Sequence, residues 1–146
     1  MEGVANPVKR LDVYDFDDTL VHSGAVVARL IAEYPDVPGW AWWHDPKWST
    51  LAARSSTPIR SRWRKLAASP ATVVILTGRV SAAVRAWCEL FADDPDVGPG
   101  MENVTRVLST DDPPWAGPER VPAKKARVLR EIADGFGEVH VYDDVP

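Results

Sequence analysis

The segment Tyr14-Asp15-Phe16-Asp17-Asp18-Thr19-Leu20 sets three carboxylates within four residues, directly after the apolar alternation of Leu11 and Val13. A strand that ends in acids concentrates negative charge at one edge of a sheet, and that charge calls for a cation. Asp15 and Asp17 lie two residues apart. A continuing strand would aim both side chains to one side, whereas a strand breaking into a loop would offer one carboxylate and one backbone carbonyl. Either arrangement suits a hard, oxygen-seeking ion such as Mg²⁺. Zn²⁺ is disfavoured, because no Cys/His pair has ligand spacing.

Further along the chain stand the other parts that phosphoryl transfer through a covalent intermediate requires: donors for the phosphate oxygens, a second acid and a completed metal site. Asp15 is the candidate nucleophile, and Asp17 is placed to protonate the leaving oxygen and then to activate water. Thr77 and Gly78 of Leu76-Thr77-Gly78-Arg79, with Lys124 or Lys125 at the opening of a helix, are the candidate phosphate donors. Asp143 and Asp144 complete the candidate Mg²⁺ set with Asp15 and the Asp17 carbonyl. Arg79 serves equally well as a substrate contact or as the partner of a nearby Asp. Four of the seven tryptophans fall in Gly39-Trp40-Ala41-Trp42-Trp43-His44-Asp45-Pro46-Lys47-Trp48. That exceeds what a small core needs, so at least one is expected at the mouth of the site, where an indole face stacks on a base. Trp43 and His44 are the candidates for substrate contact.

These residues need a scaffold that brings them together. Four short β-branched or apolar runs read as strands, at Leu11 to Phe16, Thr72 to Leu76, Val104 to Leu108 and Glu138 to Tyr142. Helical spacing fills the gaps: Val26, Val27, Leu30 and Tyr34; then Val80, Val84, Trp87, Cys88 and Phe91; then Val128, Leu129, Ile132 and Phe136. A further short helix is expected to start at Thr57-Pro58, with Ile59, Trp63 and Leu66 facing inward and Arg60 and Arg64 sharing another face. Gly135 and Gly137 are expected to end the last helix. Alternating strands and helices predict an α/β fold, a three-layer sandwich around a mostly parallel Rossmann-like sheet. Ligands bind such sheets outside the carboxyl ends of the strands, where the candidate residues fall. The 146 residues fit one domain, with residues 21–70 as an insertion or small cap between the first two core strands.

The order Asp-Phe-Asp-Asp-Thr-Leu, Leu-Thr-Gly-Arg, a lysine opening a helix and Tyr142-Asp143-Asp144 resembles the haloacid dehalogenase superfamily over residues 11 to 144. Within it, Trp42-Trp43-His44-Asp45-Pro46, with Trp63 and Leu76-Thr77-Gly78-Arg79 downstream, resembles the Swiss Army Knife RNA repair-like branch. The resemblance implies a polynucleotide end-processing phosphatase. Leu129 lies four residues after Lys125, a spacing similar to the family's, which favours Lys125 over Lys124.

Charge and composition bound the remaining possibilities. Residues 46–88 carry eight basic side chains and no acid, against nine basic and twenty-one acidic residues elsewhere. This reads either as a solvated face or as a patch for an anionic partner, and the stretch from Arg60 to Lys65 is a candidate guide for a nucleic-acid backbone. The single cysteine, Cys88, excludes an internal disulfide and reads as a small core hydrophobe. The N-terminus lacks a signal-peptide core and no apolar run is long enough for a membrane span, so a cytoplasmic location is expected, with no obligate protein partner. The expected function is an Mg²⁺-dependent phosphohydrolase acting on phosphorylated RNA or DNA ends. Small nucleotides or sugar phosphates are alternative substrates, and a non-catalytic phosphate- or RNA-binding domain is the competing class. No Gly-x-x-x-x-Gly-Lys-Ser/Thr loop supports a kinase.

Overall fold

The computed structural model describes residues 9–143. In chain order the elements are β1 (Arg10–Tyr14), β2 (Val21–His22), α1 (Gly24–Glu33), α2 (Ala41–His44), α3 (Pro46–Arg54), β3 (Thr57–Pro58), α4 (Arg60–Ala67), β4 (Thr72–Thr77), α5 (Ser81–Leu90), α6 (Val97–Asn103), β5 (Val104–Ser109), α7 (Val121–Ala133) and β6 (Glu138–Tyr142). The four long strands form one parallel sheet in the order β5-β4-β1-β6. Helices cover both faces, giving an α/β sandwich of the Rossmann-like kind.

The alternation of side chains along β1 and β4 divides the core in two. Val73 and Ile75, with Tyr14 and Phe16, join Trp63, Leu66, Val84 and Trp87 from α4 and α5. Leu11, Val13, Val74 and Leu76 point the other way, onto Val128 of α7 and onto Trp115. β4 is buried on both faces, which explains its unbroken apolar run. Asp12 is the polar exception inside β1. It is 1% exposed and is satisfied by Arg10 Nε at 2.9 Å and by the Ser69 hydroxyl at 2.6 Å.

The chain steps from β1 to β4 to β5 in one direction and then crosses back to place β6 on the far side of β1. β1 and β6 therefore flank the point where the strand order reverses, the crevice that open α/β sheets use for ligands. Asp15 follows β1 and Asp143 follows β6.

The inserted segment folds as short helices with its own small core, in which Trp42 packs with Val27, Leu30 and Ala52. Thr57-Pro58 does not start a helix, contrary to the expectation from its cap-and-proline pattern. It pairs as β3 with β2, Val21 opposite Pro58, and α4 begins at Arg60 with Ile59 as its cap. The Pro58 ring sits at an edge bridge where a missing N–H is tolerated. Trp63 and Leu66 are buried as expected. Trp63 additionally donates its indole N–H to the Leu20 carbonyl at 2.8 Å, tying α4 to the turn after β1.

Arg60 and Arg64 do share a face, but the side chains turn to Asp94 and Asp96, with contacts of 2.8 to 3.3 Å. Lys65 lies over the Tyr142 ring. The basic stretch of α4 is thus partly ion-paired within the molecule, through Arg60 and Arg64. Its acidic partners come from the chain just before α6, outside the acid-free window, which is why the stretch looked unneutralised. Cys88 packs against the core beside Met101, and Gly135 takes a φ of +85° two residues after α7, where a residue without Cβ is favoured. No helix among the described residues is long and apolar enough to cross a membrane.

Candidate active site

β1 stops at Tyr14, one residue before the first acid. Asp15 still donates its N–H to the Tyr142 carbonyl at 2.9 Å, and the chain then wraps tightly so that the Phe16 carbonyl accepts from Thr19, Leu20 and Val21. The strand therefore breaks between the two leading acids rather than continuing through them. Asp18 makes the turn with a φ of +56°, a left-handed conformation that Asp tolerates better than most residues. Its Oδ1 accepts from the N–H of Ser23 at 3.1 Å and of Gly24 at 2.9 Å, so Asp18 caps α1. Neither Asp17 nor Thr19 takes that task.

Asp15 is largely enclosed, with 14% of its side chain exposed. Its Oδ1 accepts from the Phe16 N–H at 2.8 Å and meets Lys125 Nζ at 3.3 Å. The same ammonium reaches Asp143 Oδ2 at 3.4 Å. One lysine thus stands between two carboxylates delivered by adjacent strands. Burial pushes the Asp15 carboxyl up to about 7; Lys125 pulls it down, and the charges of Asp143 and Asp17 push it further up. Lys125 comes from the second turn of α7, one turn beyond Val121 on the same face. Of the two adjacent lysines, Lys125 is the one that reaches the acids; Lys124 contributes its charge near Glu119.

Asp17 and Arg79 form the second ion pair of the site. Arg79 is fully buried, its Nε donating to Asp17 Oδ2 at 3.3 Å. Its Nη2 lies 2.8 Å from Asp17 Oδ1, a charge contact off the hydrogen-bonding direction. Nη1 donates to the Ser49 carbonyl of α3 at 3.0 Å, and the guanidinium lies 5.0 Å from the Trp43 ring centroid. Of the two roles that the sequence left open for Arg79, the structure places it in the Asp pair. It is itself buried beside Asp17.

Trp43 is held in place from several directions. Its carbonyl accepts from the Val80 N–H at 3.2 Å, which fastens α2 to the loop after β4, and from the Ser49 hydroxyl at 3.2 Å. Asp45 caps α3 through the N–H groups of Lys47 and Trp48, with Pro46 at the first helical position. The resulting hollow, about 260 Å³, is lined by Asp15, Asp17, Trp43, His44, Gly78, Val121 and Lys125. Six of these seven were expected; Val121 was not, since nothing marks an exposed valine at a helix start. Thr77 is fully buried beneath this hollow and accepts from the Arg79 N–H at 3.0 Å, leaving Gly78 as the part of that motif on the surface of the site. A Cβ on Gly78 would come within 3.2 Å of Val121. A second hollow of about 270 Å³ shares Asp15 and Lys125 and adds Asp143 with apolar residues of α7 and β6.

The tryptophans divide as their burial dictates. Trp42, Trp63, Trp87 and Trp115 are fully buried, Trp43 and Trp48 half-buried, and Trp40 is 60% exposed. Ser81, whose N–H and hydroxyl both reach Asp111, belongs to a separate hollow between α5 and β5.

Among the described residues no group of three or more His, Cys, Asp and Glu side chains is gathered closely enough to hold a metal ion alone. Asp144 lies outside the described residues. The available donors are the Asp15 and Asp143 carboxylates with backbone oxygen from the Asp17 turn, all hard oxygen ligands. Charge supports the fit. Arg79 pairs with Asp17, while the Asp15 and Asp143 carboxylates come together about Lys125, and burial, with the charges of Asp143 and Asp17, raises the Asp15 carboxyl. No family model, curated protein or solved structure matches this chain.

Proposed function

We propose that this chain is a phosphoric monoester hydrolase of the haloacid dehalogenase type, with Asp15 as nucleophile and phosphorylated polynucleotide ends as substrate. The observation that carries the reading is the convergence of Asp15, Asp143 and Lys125 at the sheet's reversal point, with Asp17 lining the same hollow.

Asp15 attacks phosphorus as the bond to the leaving oxygen breaks, giving an aspartyl phosphate. Asp17 gives its proton to the leaving oxygen. It then takes one from the water that attacks the aspartyl phosphate, releasing phosphate and restoring the Asp15 carboxylate. Arg79 compensates the Asp17 charge between the two steps and fixes the carboxylate's direction. Lys125 and the Gly78 backbone hold the phosphate oxygens. Asp15, Asp143 and the Asp17 carbonyl would hold Mg²⁺, which when bound supplies the charge that neutralises the transferring phosphoryl group. Trp43 offers an indole face to the nucleoside beside the phosphate, and the short helices of the insertion leave the hollow accessible to a chain end.

The test is phosphate release from 3′- and 5′-phosphorylated RNA and DNA oligonucleotides, mononucleotides and an aryl phosphate, with and without Mg²⁺. Release that requires Mg²⁺ and vanishes in Asp15→Asn supports the reading. Preference for mononucleotides by orders of magnitude would keep the hydrolase and remove the polynucleotide. The competing reading, a phosphate-binding domain without turnover, predicts binding of the same oligonucleotides with no release from any of them.

A further inference from the structure

The two acids after β5 have different tasks. Asp111 is spent on the start of α5, accepting from the Ser81 N–H at 2.8 Å and from the Ser81 hydroxyl at 2.7 Å. Asp112 turns back to its own strand, where Oδ2 accepts from the Ser109 N–H at 2.6 Å. Its other oxygen bonds nothing further among the described residues. Asp112 and Ser109 line the hollow of about 270 Å³ between α5 and β5, which shares no residue with the two hollows about Asp15.

Side chains two apart on a strand point to one face. Val107 and Ser109 both line this hollow, while Leu108 between them is buried in the opposite core. Ser109 is 1% exposed, and its hydroxyl has no hydrogen-bond partner among the described residues. A buried hydroxyl without a partner costs free energy, and the open space it faces is this hollow.

The polarity of the hollow follows from topology. Bonds from Ser81 to Asp111 set the first turn of α5 beside the carboxyl end of β5, so Ser81, Ser109 and Asp112 mark one end. Cys88, two turns further along α5, marks the other with Met101 of α6, and Val84 and Val107 are intermediate along their elements. One end is polar and the rest apolar. Arg85, one turn after Ser81, is exposed and acts on Asp111 through charge, yet forms no ion pair among the described residues. It also lines the neighbouring hollow, which continues past Cys88 and Met101 to Glu89 and Glu102. Arg85 is the one cation lining either hollow, so an anionic group entering this groove has one place to stop.

These groups ask for a ligand with a cationic donor, an anionic group a few bonds away and a small apolar body. An alkylamine leaves Arg85 without a partner, and an alkyl carboxylate brings its charge against Asp112. A compact zwitterion suits both. We infer that this hollow binds a small aliphatic α-amino acid, its ammonium on Asp112 and the Ser109 hydroxyl, its carboxylate on Arg85, and its side chain against Val84, Val107 and Met101.

The experiment is an NMR titration of the full chain, labelled at Met and Val methyl groups, with L-leucine, with 3-methylbutylamine, which lacks the carboxylate, and with 4-methylpentanoate, which lacks the amine. Leucine should shift the Met101, Val84 and Val107 methyl signals saturably, and each one-charged analogue should bind at least about tenfold more weakly. Arg85→Gln should weaken leucine about tenfold and Ser109→Ala about fivefold. Ser109→Ala without ligand should keep the wild-type melting temperature, because the hydroxyl it removes bonds nothing in the protein. No saturable shift by about 10 mM leucine overturns the site. Equal binding of either analogue, or leucine binding unchanged in Arg85→Gln, overturns the amino acid as its ligand. Phosphate release plays no part in any of these readouts, so the site stands or falls apart from the hydrolase.

Discussion

Replacing Asp15 by Asn should change how stability depends on pH. Folded, metal-free Asp15 keeps its proton to about pH 7, against an ordinary value of 3.8, and burial is the main cause. Between those values the folded state binds more protons than the unfolded chain, so raising the pH costs stability. Three units correspond to about 4 kcal/mol, felt in full above pH 7 and absent below about pH 3. Of that, about 2–3 kcal/mol accumulates between pH 5 and pH 8. The side chain is only 14% exposed, so solvent screening takes little from this figure. The assay is urea unfolding of both proteins in EDTA at pH 5, 6, 7 and 8. Other groups that titrate in this range contribute to both proteins, so the difference between the two curves isolates Asp15. Asp15→Asn should gain on wild type steadily as pH rises, and Mg²⁺ at pH 8 should close the gap by stabilising wild type alone. Parallel curves, with the difference constant from pH 5 to pH 8, would refute the claim that burial holds this carboxyl protonated toward neutral pH.

Arg79→Ala removes a buried guanidinium that links Asp17, the Ser49 carbonyl and the Trp43 ring, and should cost about 3 kcal/mol in urea unfolding. Asp18→Ala takes away the acceptor for two N–H groups at the start of α1 and leaves a β-carbon residue at positive φ. A loss of about 1–2 kcal/mol is expected, measured by thermal unfolding. Gly100→Ala sets a Cβ 2.6 Å from the Trp63 ring, where the indole is fixed by its bond to Leu20, and should destabilise by about 1–3 kcal/mol, with a change in tryptophan emission.

Element positions were legible because the periods differ. Thr72 to Leu76 alternates between two apolar faces, and Val128, Leu129 and Ile132 recur at helical spacing, so each fixes its own geometry locally. Thr57-Pro58 misled because a cap residue before proline is also compatible with an edge bridge, and only Val21, thirty-seven residues earlier, selects between them. The partners of Arg60 and Arg64 in the basic window were hidden for a similar reason, since Asp94 and Asp96 lie beyond the window in sequence and beside these two arginines in space.

By itself the sequence determined which chemistry is available: acids directly after an apolar strand, Thr-Gly-Arg after another, lysines opening a helix, and an aromatic cluster. Those choices are local, written in residue types and spacing. The tertiary structure alone decided the pairings. Lys125, not Lys124, stands between Asp15 and Asp143; Arg79 turns inward to Asp17; Asp18 caps a helix; Trp40 stays in solvent while Trp42 is buried. Each of these depends on distance and burial between segments far apart along the chain, and charge interactions take their strength from that separation and the surrounding dielectric, which no one-dimensional pattern contains.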